Sequence, residues 1–179
     1  VGVAQVNVLD KAIHMAVEDL FSATNFILDN ADQFGVNPSN IVISGSSAGA
    51  ISVMQAEYEI ANATQWASVL PAGFNYAGVM SFSGAILSRE GKVDFKKSPC
   101  PTLMLHGTSD ELVPYDQIKV FNLGFFGGGK LVERFKKYGL NYNMYHFTDY
   151  GHEIAGSMDT TLDLQLKFLE TNVMQKKMR

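Results

Sequence analysis

Ile41-Val42-Ile43-Ser44-Gly45-Ser46-Ser47-Ala48-Gly49 is the stretch whose reading decides the fold. An apolar run leads into G-x-S-x-G, the pattern of a sharp strand-to-helix turn that lifts a serine hydroxyl above a sheet edge. Three fixed positions match by chance in roughly one chain in twenty of this length, so the surroundings must decide. The turn cluster Asn37-Pro38-Ser39-Asn40 lets a strand start at Ile41 and run to Ser44. Ala48 to Ala61 has no proline and reads as the following helix. Gly45, Ala48 and Gly49 keep the turn free of side chains that would collide with strand or helix. The competing reading is a serine-rich turn that only caps a helix, since Ser46 and Ser47 are both good N-caps. A nucleophilic Ser47 needs an acid and then a histidine, each on its own loop.

The acid comes after the apolar run Pro101–His106, in Gly107-Thr108-Ser109-Asp110-Glu111-Leu112-Val113-Pro114. A loop after the C-terminal end of a strand is where an α/β sheet presents functional groups. Asp110 could serve there as the acid or as a turn residue bonding its own backbone. Glu111 is its rival, although neighbouring side chains in an extended segment face opposite ways.

Asn141 to Thr148 carries the aromatic and β-favouring residues of a last strand, and Asp149-Tyr150-Gly151-His152-Glu153 forms the loop after it. A helical pattern resumes from Thr160 to Met174. Of four histidines, His152 is the best candidate base. His14 lies in a helix, His106 ends the strand before the acid loop, where a structural hydrogen bond is expected, and His146 lies inside the last strand.

GSSAG, HGTSDELVP and the loop GHE together resemble the α/β-hydrolase superfamily, in the chain order serine, aspartate, histidine. HGTSDELVP is the most specific of the three and is similar to the acid loop of carboxylesterases, carbohydrate esterases and prolyl-oligopeptidase-type peptidases. Sixty-three residues separate Ser47 from Asp110, and 42 separate Asp110 from His152. The resemblance covers nearly the whole chain, read as one domain over residues 1–179. It implies an α/β fold, the C-terminal part of an α/β hydrolase, with a mostly parallel sheet and helices on both faces. It also implies a serine hydrolase cleaving carboxylic esters through an acyl-enzyme on Ser47, with His152 as base, Asp110 as orienting acid and the Ala48 N–H as one oxyanion donor. Small esters, including acyl groups on carbohydrates, are the expected substrates. A prolyl-oligopeptidase-type serine peptidase and a catalytically inactive binding module are the alternatives.

No HGG-type motif, the family's usual mark of a second oxyanion donor, precedes Gly45. Lys11 to Phe34 reads instead as a helix, with apolar Ile13, Val17, Leu20, Phe21, Ile27 and Leu28, leading into the strand before Ser47. The sequence thus starts where the family's middle begins, with four strands at Ile41–Ser44, Tyr76–Phe82, Thr102–His106 and Tyr142–Thr148. Its first strand would be an apolar edge, which soluble proteins avoid. The expectation is an N-terminally incomplete domain. A homo-oligomer, a missing N-terminal segment that completes the sheet, or a shortened inactive relative would also account for it. Ser83 to Pro99 is too short for a large lid.

With 179 residues, 46% hydrophobic and 18% charged, the chain can build one core of ordinary size. A net charge of −4 argues against nucleic acid as a partner, and no stretch reaches the about 18 apolar residues of a membrane span. No cofactor or metal is expected, and localisation stays open. Cys100, between two prolines, reads as a strand-entry residue, and Lys176-Lys177-Met178-Arg179 as a solvated basic tail.

Leu123 to Lys130, LGFFGGGK, lacks the lysine–serine/threonine pair of a phosphate loop. It reads as a flexible break between helices at Asp116–Asn122 and Lys130–Tyr138. Phe125 and Phe126 are expected in the core or lining an acyl or aryl pocket, and Trp66 and Phe74 against the sheet or at the rim of the site.

Overall fold

The computed structural model describes residues 3–174, with side chains from residue 7 onward. The basic tail at 176–179 lies outside the described residues. Helix α1 runs from Val3 to Asp29, and the short α2 follows at Ala31–Phe34. Ile13, Val17 and Phe21 recur every four residues on α1, so one stripe is buried while the opposite face stays in solvent. Thr24 ends that stripe and shares a hydrogen bond of 2.7 Å with the Tyr76 hydroxyl.

Strands β1 (Val42–Ser46) and β2 (Gly78–Phe82) precede β3 (Ala85–Ser88) and β4 (Thr102–Gly107). The hairpin β5 (Gln117–Val120) and β6 (Leu123–Gly127) comes next, and β7 (Tyr142–Phe147) is last. The four strands expected from sequence form one parallel sheet in the order β1-β2-β4-β7. Helix α3 (Ala48–Ala61) follows β1 with the bounds expected from sequence, α4 spans Gly128–Tyr138, and α5 spans Leu162–Leu169. Side chains alternate across the sheet. Val79 and Met104 face the larger core with Ile51, Met54, Leu131 and Phe135 of α3 and α4. Phe82, Leu103 and Leu105 face Ile154 and Phe168 on the other side. Helices therefore cover both faces, and β1 is an edge of the sheet among the described residues.

Two expectations fail. Residues 117–120 are strand rather than helix, and the segment after them is not a flexible break. Gln117-Ile118-Lys119-Val120 alternates polar and β-branched residues, a period of two that suits a strand. Phe121, at φ 55°, turns the chain in a two-residue loop so that β5 and β6 pair antiparallel. β6 then pairs with β3, making a second, three-stranded sheet in the order β3-β6-β5. Gln55 of α3 binds this sheet's other edge, accepting from Leu87 N–H at 2.9 Å and donating to its carbonyl at 3.2 Å. Within β6, Phe126 is buried in the core and Phe125 lines an apolar cavity of about 180 Å³.

Candidate active site

Ser47, Asp110 and His152 each follow the C-terminal end of a parallel strand, respectively β1, β4 and β7. Ser47 adopts φ 53° and ψ −118°, a conformation that an L residue holds only when its surroundings impose it. They do: Ser47 N–H donates to the Phe82 carbonyl at 2.9 Å, and Ile51 N–H donates to the Ser47 carbonyl at 3.0 Å. Gly45 lets α3 fold back over the turn, for a Cβ there would lie 2.2 Å from the Gly49 carbonyl oxygen. Gly49 differs from expectation. A Cβ there would meet nothing within 4 Å, because it points off the exposed first turn of α3.

Ser47 Oγ lies 2.8 Å from His152 Nε2, and His152 Nδ1 lies 2.9 Å from Asp110 Oδ2. Asp110 Oδ1 accepts from the Leu112 and Val113 amides, both at 3.0 Å. Burial raises the Asp110 carboxyl, but the His152 and Val113 hydrogen bonds outweigh it and hold the group below the usual carboxylate range. An ionised carboxylate only accepts, so His152 Nδ1 carries the proton and Nε2 is left to accept from Ser47 Oγ. Glu111 is exposed, whereas Asp110 is buried and hydrogen-bonded to the ring.

Hydrogen bonds between the loops fix this arrangement. Thr108 N–H donates to the Phe147 carbonyl at 3.0 Å, and Ser109 N–H to the Tyr150 carbonyl at 2.9 Å. Asp149 N–H reaches Thr108 Oγ1 at 3.0 Å. Gly107 permits this closeness, since a Cβ there would stand 2.3 Å from the Tyr150 and Gly151 carbonyl oxygens. Ser46 Oγ donates to the Ala155 carbonyl at 2.5 Å and ties the turn before Ser47 to the segment after His152. Sequence reading missed this role of Ser46. A second hydroxyl beside the candidate nucleophile was the available signal.

The other histidines and aromatics lie apart from this group. His146 pairs with the Tyr115 hydroxyl on the outside of β7. His14 stacks on Trp66 and packs against Glu59, whose hydrogen bond raises the imidazole above its ordinary range. Phe74 packs edge-on to Tyr76 and lines a cavity before the N-terminal ends of the strands, opposite Ser47. Trp66 and Phe74 therefore do not rim the site. Cys100 enters β4 as expected, and its N–H donates to Glu57 Oε1 at 2.7 Å. Among the described residues no three His, Cys, Asp or Glu gather to hold a metal, and no helix is long and apolar enough to cross a membrane.

This parallel sheet, with helices on both faces and a strained serine turn after β1, is part of the α/β-hydrolase fold. Solved structures agree. Esterase 2 of Thermogutta terrifontis matches with a TM-score of 0.60 at 23% identity, over 86% of this chain and 63% of that one. Esterase PE8 matches with a TM-score of 0.54 at 20% identity, over 85% and 61%. A puromycin-hydrolyzing peptidase of Mycobacterium tuberculosis gives 0.58 at 18% identity, over 88% of this chain and 26% of that one. The chain thus spans about three-fifths of the two esterases. The family model described as BD-FAE matches residues 7–82, from α1 to the end of β2. No curated protein sequence gives a match.

Proposed function

We propose that the protein is a serine esterase that cleaves small carboxylic esters through an acyl-enzyme on Ser47. The observation that carries this reading is the continuous chain from Ser47 Oγ through His152 to Asp110, at 2.8 and 2.9 Å, built on a strained turn. Ser47 Oγ attacks the ester carbonyl carbon while His152 Nε2 takes its proton. The tetrahedral intermediate collapses, the C–O bond to the alcohol breaks, and His152 returns the proton to the leaving oxygen. Water then repeats both steps and releases the carboxylic acid. Asp110 stays ionised throughout, holding the Nδ1–H tautomer and stabilising the imidazolium.

Ala48 supplies an oxyanion donor in this scheme. Its N–H belongs to the first turn of α3, where amides have no carbonyl partner within the helix and the helix dipole favours negative charge. The neighbours support ester chemistry over other acyl transfers, and the Thermogutta terrifontis enzyme has propionate bound, in keeping with a short acyl group. The peptidase neighbour supports amide cleavage as the second reading.

Hydrolysis of p-nitrophenyl acetate and propionate by the wild type and by Ser47→Ala tests the proposal. Turnover that disappears in Ser47→Ala is expected, and equal rates for the two proteins would sink it. Turnover of a peptide p-nitroanilide without ester preference would favour the peptidase reading.

A further inference from the structure

His106 and the triple glycine Gly127-Gly128-Gly129 have no part in the reaction above, yet they meet directly behind its acid. His106 belongs to β4 and is 1% exposed. Its Nδ1 accepts the Gly128 N–H at 3.2 Å, so the ring proton sits on Nε2. That Nε2–H donates to the Val113 carbonyl at 3.0 Å and lies 3.4 Å from Asp110 Oδ2. Burial holds the ring below the ordinary histidine range, and a second proton on Nδ1 would break the bond from Gly128. The imidazole is therefore neutral and fixed in orientation, with its N–H aimed at the inside of the acid loop.

The glycines seat the rest of that loop. Gly127 N–H donates to the Asp116 carbonyl at 2.7 Å, and Gly129 N–H to the Tyr115 carbonyl at 2.9 Å. A Cβ on Gly127 would lie 1.7 Å from the Pro114 carbonyl oxygen, and one on Gly129 would lie 2.4 Å from the Tyr115 ring. Only bare backbone lets residues 114–116 come this close. All three amides are occupied within the protein, which leaves no cradle for a phosphate.

We infer that His106, held from behind by the Gly127–Gly129 turn, is a positioning residue for Asp110. It fixes the Val113 carbonyl and with it the peptide units whose Leu112 and Val113 amides grip Asp110 Oδ1. Asp110 in turn aims Oδ2 at His152 Nδ1. The inference rests on the triad reading above for its catalytic meaning, but its geometry can be tested without substrate. The titratable groups facing His106 are Asp110 and Tyr115 from the acid loop and His152 from the loop after β7. Met144 of β7 and Gly128 of α4, which also pack here, carry no charge.

The test compares wild type, His106→Ala, His106→Gln and Gly128→Ala in the full chain, each checked for folding by circular dichroism. Gly128→Ala presses on the same ring from behind, because its Cβ would stand 3.0 Å from His106 Nδ1. Two quantities are read: kcat and KM on p-nitrophenyl acetate, and the position of the His152 Nδ1–H resonance, which reports its hydrogen bond to Asp110, by nitrogen–proton NMR without substrate. His106→Ala should lose about 10- to 100-fold in kcat with KM unchanged, the range for removing an outer partner of a functional ligand. Its His152 Nδ1–H resonance should also move upfield, since the carboxylate is no longer aimed at that proton. His106→Gln, which keeps an N–H donor, should recover part of both, and Gly128→Ala should move both in the same direction as His106→Ala. Folded His106→Ala and Gly128→Ala with wild-type kcat and a wild-type His152 Nδ1–H resonance would overturn the inference. If His106→Ala does not fold, Gly128→Ala decides alone. A wild type without ester turnover would instead sink the esterase reading, and the NMR comparison would still decide the role of His106.

Discussion

Replacing Asp110 by asparagine should disable the protein through a single proton. Oδ1 of Asp110 accepts from two amides, Leu112 and Val113, while Oδ2 faces His152 Nδ1. An asparagine must keep its carbonyl oxygen toward those two donors, because its NH₂ group could not accept from them. The NH₂ group then faces His152 Nδ1, which must become an acceptor, and the ring proton moves to Nε2. That places an N–H 2.8 Å from Ser47 Oγ, where the mechanism requires a lone pair. The shape is unchanged and the base is lost. In a serine protease with the same constellation such a change lowers kcat by about 10⁴-fold, or about 5 kcal/mol in barrier height. Burst and steady-state release of p-nitrophenol at pH 7.5, with circular dichroism as the folding control, would measure the effect. A folded Asp110→Asn protein within tenfold of wild type would refute the tautomer argument.

Glu57 carries the clearest pH prediction. It is buried, and that burial outweighs the hydrogen bonds from Cys100 and pushes its carboxyl from 4.5 up to about 7. The folded state thus binds this proton more tightly than the unfolded chain does. The Glu57 contribution to stability is then greatest below pH 4.5, falls as pH rises toward 7, and is flat above it. The total loss is about 3 kcal/mol, each tenfold in proton affinity being worth 1.36 kcal/mol. Glu57→Gln should be more stable at pH 8 by up to about 3 kcal/mol and should lose this slope, as urea unfolding at several pH values would reveal. Parallel pH curves for the two proteins would contradict it. The two glycines beside Ser47 should respond oppositely. Gly45→Ala drives a methyl into the backbone of α3 and should cost about 1–3 kcal/mol or more, with the serine turn displaced. Gly49→Ala meets open space at the start of a helix and should stabilise by about 0.4–1 kcal/mol. Thermal melts in which both substitutions destabilise equally would argue against the packing described at the turn.

The parallel sheet was legible in the sequence because its strands are short apolar runs bounded by turn residues, a local pattern that burial on both faces enforces. That Ser47, Asp110 and His152 lie together was legible because each follows such a run. The second sheet was not. β3 is buried at every position, so Ala85-Ile86-Leu87-Ser88 shows no alternation, and β6 is interrupted by glycines. Both strands are fixed by distant partners, namely Gln55 on one edge and the β5 hairpin on the other, which local sequence does not announce. The glycines 127–129 looked like flexibility for the same reason. What demands them is contact with Pro114, Tyr115 and His106 across the fold. Glu57 and Glu59 were equally opaque. Two glutamates in one helix suggest a solvent face, yet α3 is enclosed by the sheet, α1 and β3, and both are buried.

If Ser47 is a nucleophile activated by His152, it should react with an electrophilic phosphonate. Intact mass and peptide mapping after treatment with a fluorophosphonate, run on wild type, Ser47→Ala and His152→Ala, tests it most directly. One phosphonyl group per chain is expected, mapped to Ser47, absent in Ser47→Ala and formed far more slowly in His152→Ala. A folded wild-type protein that takes no label, or takes it at another residue, would contradict it.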